Sequence, residues 1–225
     1  MATSPATRSP AWGLPAGREP RWPASLAVAA AVALTVTLPD PLVYGPRWVL
    51  PLVEAVMVVP LTVVHPFRHR DEPGVARWLS LVLTGVAEVA NLISLALLVQ
   101  SILNGSSATG RQLVIAAIQI YVTNVLVFGL WFWELDRGGP GGRMRADHRR
   151  PDFLFPQMVT PEAAEAGWTP GFVDYLYVSF TNATAFSPTD TMPLTPSSKV
   201  LMTVESVAAL LTVAVVAARA INILH

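Results

Sequence analysis

The 225 residues are 52% hydrophobic and only 13% charged, about half the charge of a soluble domain, and the mean hydropathy is +0.48. Fifteen basic residues balance fifteen acidic ones, which excludes a basic nucleic-acid-binding chain and a charged disordered one. There is no cysteine, so disulfides, thiolate metal sites, iron–sulfur clusters and cysteine nucleophiles are excluded as well.

The pattern along the chain predicts an all-α, polytopic helical membrane protein with five transmembrane helices and a re-entrant, or sixth, helix. Residues 1–21 contain four prolines and no apolar run, the pattern of a disordered tail. The first apolar run leads into further membrane segments, so it is expected to be a retained span and not a cleaved signal. A bilayer core takes about 20 apolar helical residues. Residues 22–38 form a short first span ending at Leu38-Pro-Asp-Pro. Residues 48–64 form a second, with Glu54 one turn in, and residues 78–103 a third. Residues 112–133 form a fourth, whose Trp131, Phe132 and Trp133 suit an interfacial aromatic belt. Residues 200–224 form the last, with Arg219 placed to snorkel. Residues 172–186 are apolar but short and carry Asp174, Thr181, Asn182 and Thr184. They either dip or cross.

The chain divides accordingly into a tail (1–21), a three-helix region (22–111) and a C-terminal module (112–225). Arginines alternate between the connecting segments: the tail and the loops at 65–77 and 136–171 hold eleven, the other two loops two. By the positive-inside rule the tail and those loops are cytoplasmic. Fourteen of the fifteen basic residues are arginine. With heavy Ala, Val and Pro usage, that bias associates with a bacterial source, hence a multi-pass protein of the bacterial cytoplasmic membrane.

An ionisable residue at membrane depth is a functional candidate by default. Glu88 lies about ten residues into its span, on one face with Thr84 and Asn91. Gln119 and Thr123 share a face in the next span, with Asn124 adjacent. These residues form either a polar or proton-exchanging path or interhelical hydrogen-bonded glue. At that depth Glu88 is neutral by protonation or paired. Glu54 and Glu205 are expected near headgroup regions. His65 and His69 have ligand spacing, but Pro66, Arg68 and Arg70 place them in a loop without a third ligand. The hydrolase and nucleotide-binding signatures are missing. The expectation is therefore no enzyme, no catalytic residue, no metal and no cofactor.

Gly138, Gly139, Pro140, Gly141 and Gly142 predict a flexible cytoplasmic turn. Residues 143–150, with Arg143, Arg145, Arg149 and Arg150, form a basic patch, read either as an anionic-lipid site or as a simple topology determinant. Phe153, Leu154 and Phe155 suit the membrane interface. Thr160 followed by Pro161 predicts a helix start.

Residues 112–224 resemble the pore module of two-helix potassium channels: an outer helix, an aromatic pore helix, a Thr-Thr-Val-Gly-Tyr-Gly-Asp filter, a proline-containing turn and a long inner helix. The aromatic positions are Tyr175, Tyr177 and Phe180. Thr184 stands at the first filter threonine, Asp190 at the aspartate and Pro193 at the following proline, with Thr195, Pro196 and Lys199 continuing the likeness. Glu205 falls where such helices often carry an acid. The intervening filter-equivalent residues are Ala185, Phe186, Ser187, Pro188 and Thr189. They lack both glycines and the second threonine, so a potassium filter of stacked backbone carbonyls is not expected. The segment is also similar to an uncharacterised bacterial integral-membrane family with this altered module, sharing the pattern of residues 174–180. The resemblance implies an ion-channel-like pore without potassium selectivity, assembled in the lipid bilayer as a homo-oligomer, dimer or tetramer. The alternative is a non-transporting structural or partner-binding protein that keeps the channel-like fold. In potassium channels the pore loop dips from the outer side, whereas the arginine count places 136–171 inside.

Overall fold

The computed structural model describes residues 19–20, 22–43, 46, 74–104, 108–145, 149–160, 162, 164–165, 167–184 and 190–223. It is built of helices: α1 (Trp22–Val36), α2 (Gly74–Asn104), α3 (Gly110–Leu135), α4 (Gly139–Arg143), α5 (Pro156–Val159), α6 (Phe172–Thr184) and α7 (Pro196–Ile223). Two-residue strands β1 (Phe153–Leu154) and β2 (Met192–Pro193) pair antiparallel, Phe153 opposite Pro193 and Leu154 opposite Met192. Three stretches, Arg77–Asn104, Gly110–Arg143 and Pro196–Arg219, are long and apolar enough to cross a membrane. The 15 residues of α1 are shorter, about 22 Å of helix at 1.5 Å per residue. The expected second span, residues 48–64 with Glu54, lies outside the described residues, as do His65, His69 and His148.

Local chemistry sets the helix starts. Thr109 and Gln112 form a reciprocal capping box at the head of α3: Thr109 Oγ1 accepts from the Gln112 amide, and Gln112 Oε1 accepts from the Thr109 amide at 2.7 Å. At α7, Pro196 takes the first helical position, where a missing N–H does no harm, and Thr195 and Ser198 hydrogen-bond across it.

Two larger apolar clusters stand out among the described residues. At the far end Leu38, Leu42, Leu95, Leu98, Leu113 and Ile120 pack together. At the loop end the core is aromatic: Phe128, Phe132, Trp133, Phe153, Phe155, Phe172 and Tyr175. Trp133 and Phe172 meet edge to face at 5.8 Å, and Phe155 meets Tyr175 in the same way at 5.3 Å. These contacts correct two expectations. Phe132 and Trp133 are buried, so residues 131–133 are not a lipid-facing belt. Phe153 and Phe155 fill the core and do not lie in the interface. Their burial follows from β1 being held between α3 and the start of α6.

α6 enters the bundle from one end. α6 begins at the loop end, where the Tyr175 hydroxyl donates to Asp136. It descends to the middle of the bundle, where Ala183 packs with Val125 and Ala209. By β2 the chain is back at the loop end. Gly129 permits the close approach of α3 to α6, since a Cβ there would lie 3.1 Å from the Leu176 Cα. Its 13 residues give about 20 Å of helix, short of the roughly 30 Å hydrocarbon core. Thr160 closes the single turn of α5, and the helix expected to start there falls in part on residues outside those described.

Candidate functional site: two buried polar clusters

The first cluster runs along the seam of α2, α3 and α7. On α2, Ser80, Thr84, Glu88, Asn91 and Ser94 are all buried. Spacings of four and three put them on one helix face, a stripe about 21 Å long at 1.5 Å per residue. The sequence had pointed to Thr84, Glu88 and Asn91; the structure adds Ser80 and Ser94. On α3, Thr123 and Asn124 are buried, and Asn124 faces α7. Gln119 is not part of it. Its side-chain amide donates to Thr37 Oγ1 at 2.7 Å, tying α3 to the end of α1.

Glu205 is fully buried. Nine residues into α7, it lies level with Ser179 and Asn182 of α6. One carboxyl oxygen is hydrogen-bonded to the Ser179 hydroxyl, and the other accepts from Asn182 Nδ2 at 2.6 Å. Ser179 also reaches the Val125 carbonyl at 2.7 Å, and Asn182 the Met202 carbonyl at 2.9 Å. The Asn124 side chain donates to the Glu205 carbonyl at 3.3 Å. α6 is therefore fastened to α7 through the Glu205 carboxyl group and to α3 through the Ser179 hydroxyl on the Val125 carbonyl. Sequence reading marked Glu205 and Asn124 but gave no role to Ser179 or Asn182, whose partners are 26 and 23 residues away.

Glu88 is different. It is 7% exposed, and neither carboxyl oxygen has a hydrogen-bond partner among the described residues. It lies within electrostatic reach of Glu205. The Asn124 Oδ1 is likewise buried without a partner. Beside this seam an open groove of about 400 Å³ runs between α6 and α7, lined by Asn182, Lys199, Met202, Thr203, Ser206 and Val207. Asn182 thus faces the groove and holds Glu205 as well.

The second cluster caps the loop end, where the sequence predicted a flexible turn. Residues 136–143 are instead packed and largely buried. Positive φ angles at Arg137 (54°), Gly138 (87°) and Gly139 (86°) reverse the chain, which glycine allows cheaply. Asp136 accepts from the Tyr175 hydroxyl at 2.6 Å, from Arg137 Nε at 3.0 Å and from the Asp152 amide at 2.7 Å. Burial pushes the Tyr175 hydroxyl well above its usual range, so it serves as a donor. Asp152 accepts from the Arg137 amide and from Thr195. Arg143, fully buried, donates to the Trp133 carbonyl at 2.7 Å and to Glu19 at 3.0 Å, and its guanidinium lies 5.0 Å from the Tyr175 ring centre. It is therefore not part of a lipid-binding patch, although Arg145, Arg149 and Arg150 are exposed. Glu19 also accepts from the Trp133 indole and the Phe172 amide. Arg77 and Arg149 border the Gly138 turn, so three basic segments of the chain meet at this one end.

Of the filter-equivalent positions, Thr184 ends α6 with its hydroxyl on the Thr181 carbonyl, and Asp190 is exposed. Ala185, Phe186, Ser187, Pro188 and Thr189 lie outside the described residues. Tyr175 is buried, whereas Tyr177 and Phe180 are exposed. Compared with known proteins, the chain matches no family model, no curated protein and no solved structure.

Proposed function

We propose that this is an integral membrane protein that passes a small cation, the proton included, without potassium selectivity. The observation that carries this reading is α6, a short helix that enters the bundle, ends inside it and returns to the end where it began. A helix that stops at that depth leaves carbonyls without intrahelical partners. Its C-terminal end carries partial negative charge that favours a cation. Irregular backbone at membrane depth is tolerated where it is buried in protein or lines a water-filled cavity, and half-helices of this kind mark the sites of channels and transporters. The order α3, dipping α6, α7 agrees with the resemblance to a channel pore module. The buried polar stripe on α2 supplies the polar surface such a path needs. The gathering of Arg77, Arg137, Arg143 and Arg149 at one end supports an inside location for that end in a bacterial cytoplasmic membrane.

One observation favours a second reading, a non-transporting structural or partner-binding protein. The outward face of α7 is apolar: Val200, Val207, Leu210 and Val213 are each more than half exposed. A dimer or tetramer with α7 at its axis would enclose a dry seam. Flux of potassium, sodium and protons into liposomes holding the purified protein separates the two. The expected result is cation flux with no preference for potassium over sodium. Flux of none of the three leaves the second reading.

A further inference from the structure

We propose that Glu88 and Glu205 form a membrane-embedded proton-binding site, with Glu88 the group that exchanges the proton and Glu205 its fixed neighbour. The two acids are held in opposite ways. Glu205 has donors on both oxygens, supplied by Ser179 and Asn182. Glu88 has none among the described residues and is more than nine-tenths buried. A buried carboxylate without a partner is so unfavourable that the group takes up a proton instead. Neither acid has a cationic partner among the described residues. The titratable group that α7 brings to Glu88 is Glu205. From α3 come Tyr121, within electrostatic reach of Glu205, and the uncharged Thr123 and Asn124. From α6 come only Ser179 and Asn182. With one acid against another, the pair favours a shared proton over two full charges.

Hydrogen counting shows that Glu205 can accept that proton without moving. The Ser179 hydroxyl has one proton and two partners, the Val125 carbonyl and a Glu205 carboxyl oxygen. With Glu205 ionised, Ser179 donates to it. With Glu205 protonated, the acid donates to Ser179 Oγ and Ser179 donates to Val125. The transfer breaks one O–H bond at Glu88 and forms one at Glu205, or at water reached along the α2 stripe, so protons and charge balance. Ser80, Thr84, Asn91 and Ser94 extend that stripe on both sides of Glu88.

The inference rests on the membrane-embedded reading but not on flux, and its test is spectroscopic. Infrared titration of the full-length protein in lipid nanodiscs follows the carbonyl stretch of protonated carboxyls. The expected result is a band that varies with pH, is lost in Glu88→Gln, and survives with a shifted midpoint in Glu88→Asp and Glu205→Gln. A pH-dependent band that persists unchanged in Glu88→Gln overturns the proposal. So does a band insensitive to pH, which makes Glu88 permanently neutral glue, or one that sodium removes at fixed pH, which makes the site one for metal cations. If Glu88→Gln fails to fold, the midpoint of Glu88→Asp decides: an unshifted midpoint is equally fatal. A normal band without flux breaks only the pore reading, and flux without the band breaks only this one.

Discussion

The loop-end cap and the mid-bundle seam are both buried and both polar, yet they treat charge differently. In the cap, Asp136 meets Arg137 and Arg143 meets Glu19, each at 3.0 Å. Donors from Tyr175, Asp152 and Thr195 fill in around them. In the seam, Glu205 is held by neutral donors and Glu88 by none among the described residues. A paired, cross-linked charge cluster fixes a geometry. A buried acid left without a protein partner has room for something that comes and goes. The cap therefore belongs to folding, and the seam is where function is to be sought.

The sharpest way to break that contrast is to remove the charge at the cap's centre. Arg143→Ala removes the guanidinium from Glu19 and from the Trp133 carbonyl, leaving the Glu19 carboxylate with the Trp133 indole and the Phe172 amide as its donors. Removing one member of a buried ion pair costs about 3–5 kcal/mol, so the variant is expected to lose most of its folded yield. Size-exclusion profiles and melting curves in detergent measure this. Arg143→Lys should rescue only in part, because an ammonium group lacks the guanidinium's planar fork. A wild-type melting curve for Arg143→Ala would show that the cap is not the clamp described.

The next effect lies on the seam's structural side. Asn182→Ala takes the donor from one oxygen of Glu205 and frees the Met202 carbonyl. An unsatisfied buried group costs about 1–3 kcal/mol, so a clear fall in melting temperature is expected, smaller than that at Arg143. Should Asn182→Ala be as damaging as Arg143→Ala, the seam would be as much a clamp as the cap.

The sequence revealed these two regions unequally. The bodies of α2, α3 and α7 were legible because a helix long and apolar enough to cross a membrane announces itself by length and apolarity alone. Glu88 with Thr84 and Asn91 was legible because helical spacing puts them on one face. The cap was not. Gly138 to Gly142 carry the composition of a loose turn, and nothing local reveals that Arg143 will meet Glu19, 124 residues away. Phe153 and Phe155 were misplaced for the same reason: two apolar residues beside a basic patch look interfacial until β2 returns to cover them. The burial of Glu205 was not legible either, because its partners Ser179 and Asn182 lie on another helix, 26 and 23 residues away.

A smaller effect on stability is expected at Glu88, together with a large one on function. Glu88→Gln removes no hydrogen bond to a described residue, so the melting temperature should shift by less than the equivalent of about 1 kcal/mol, the usual net worth of one hydrogen bond. Proton or cation flux in liposomes should be abolished. A stable variant with unchanged flux, in a protein shown to transport, would remove Glu88 from the functional residues. A badly destabilised one would place it with the cap.

The smallest effect expected is at Asp174, where the cap meets the first turn of α6. Its carboxylate accepts from the Gly171 amide at 2.8 Å, which favours the charged form. Burial, with the Glu19 charge beside it, outweighs that hydrogen bond and pushes the Asp174 carboxyl above its usual range. The folded state then binds this proton more tightly than the unfolded chain does. Stability from this group is full below the unfolded value, near pH 4, and is lost as pH rises through the raised folded value. At neutral pH the ionised Asp174 is therefore a slight liability. Asp174→Asn keeps an oxygen for the Gly171 amide and removes the charge. It should raise the melting temperature at pH 7 by no more than about 2–4 °C, the equivalent of 1 kcal/mol in a chain of this length, and the gain should vanish near pH 4. A lower melting temperature at pH 7 would mean that the hydrogen bond to the carboxylate outweighs its burial. Asp174 would then count among the charges that hold the cap together.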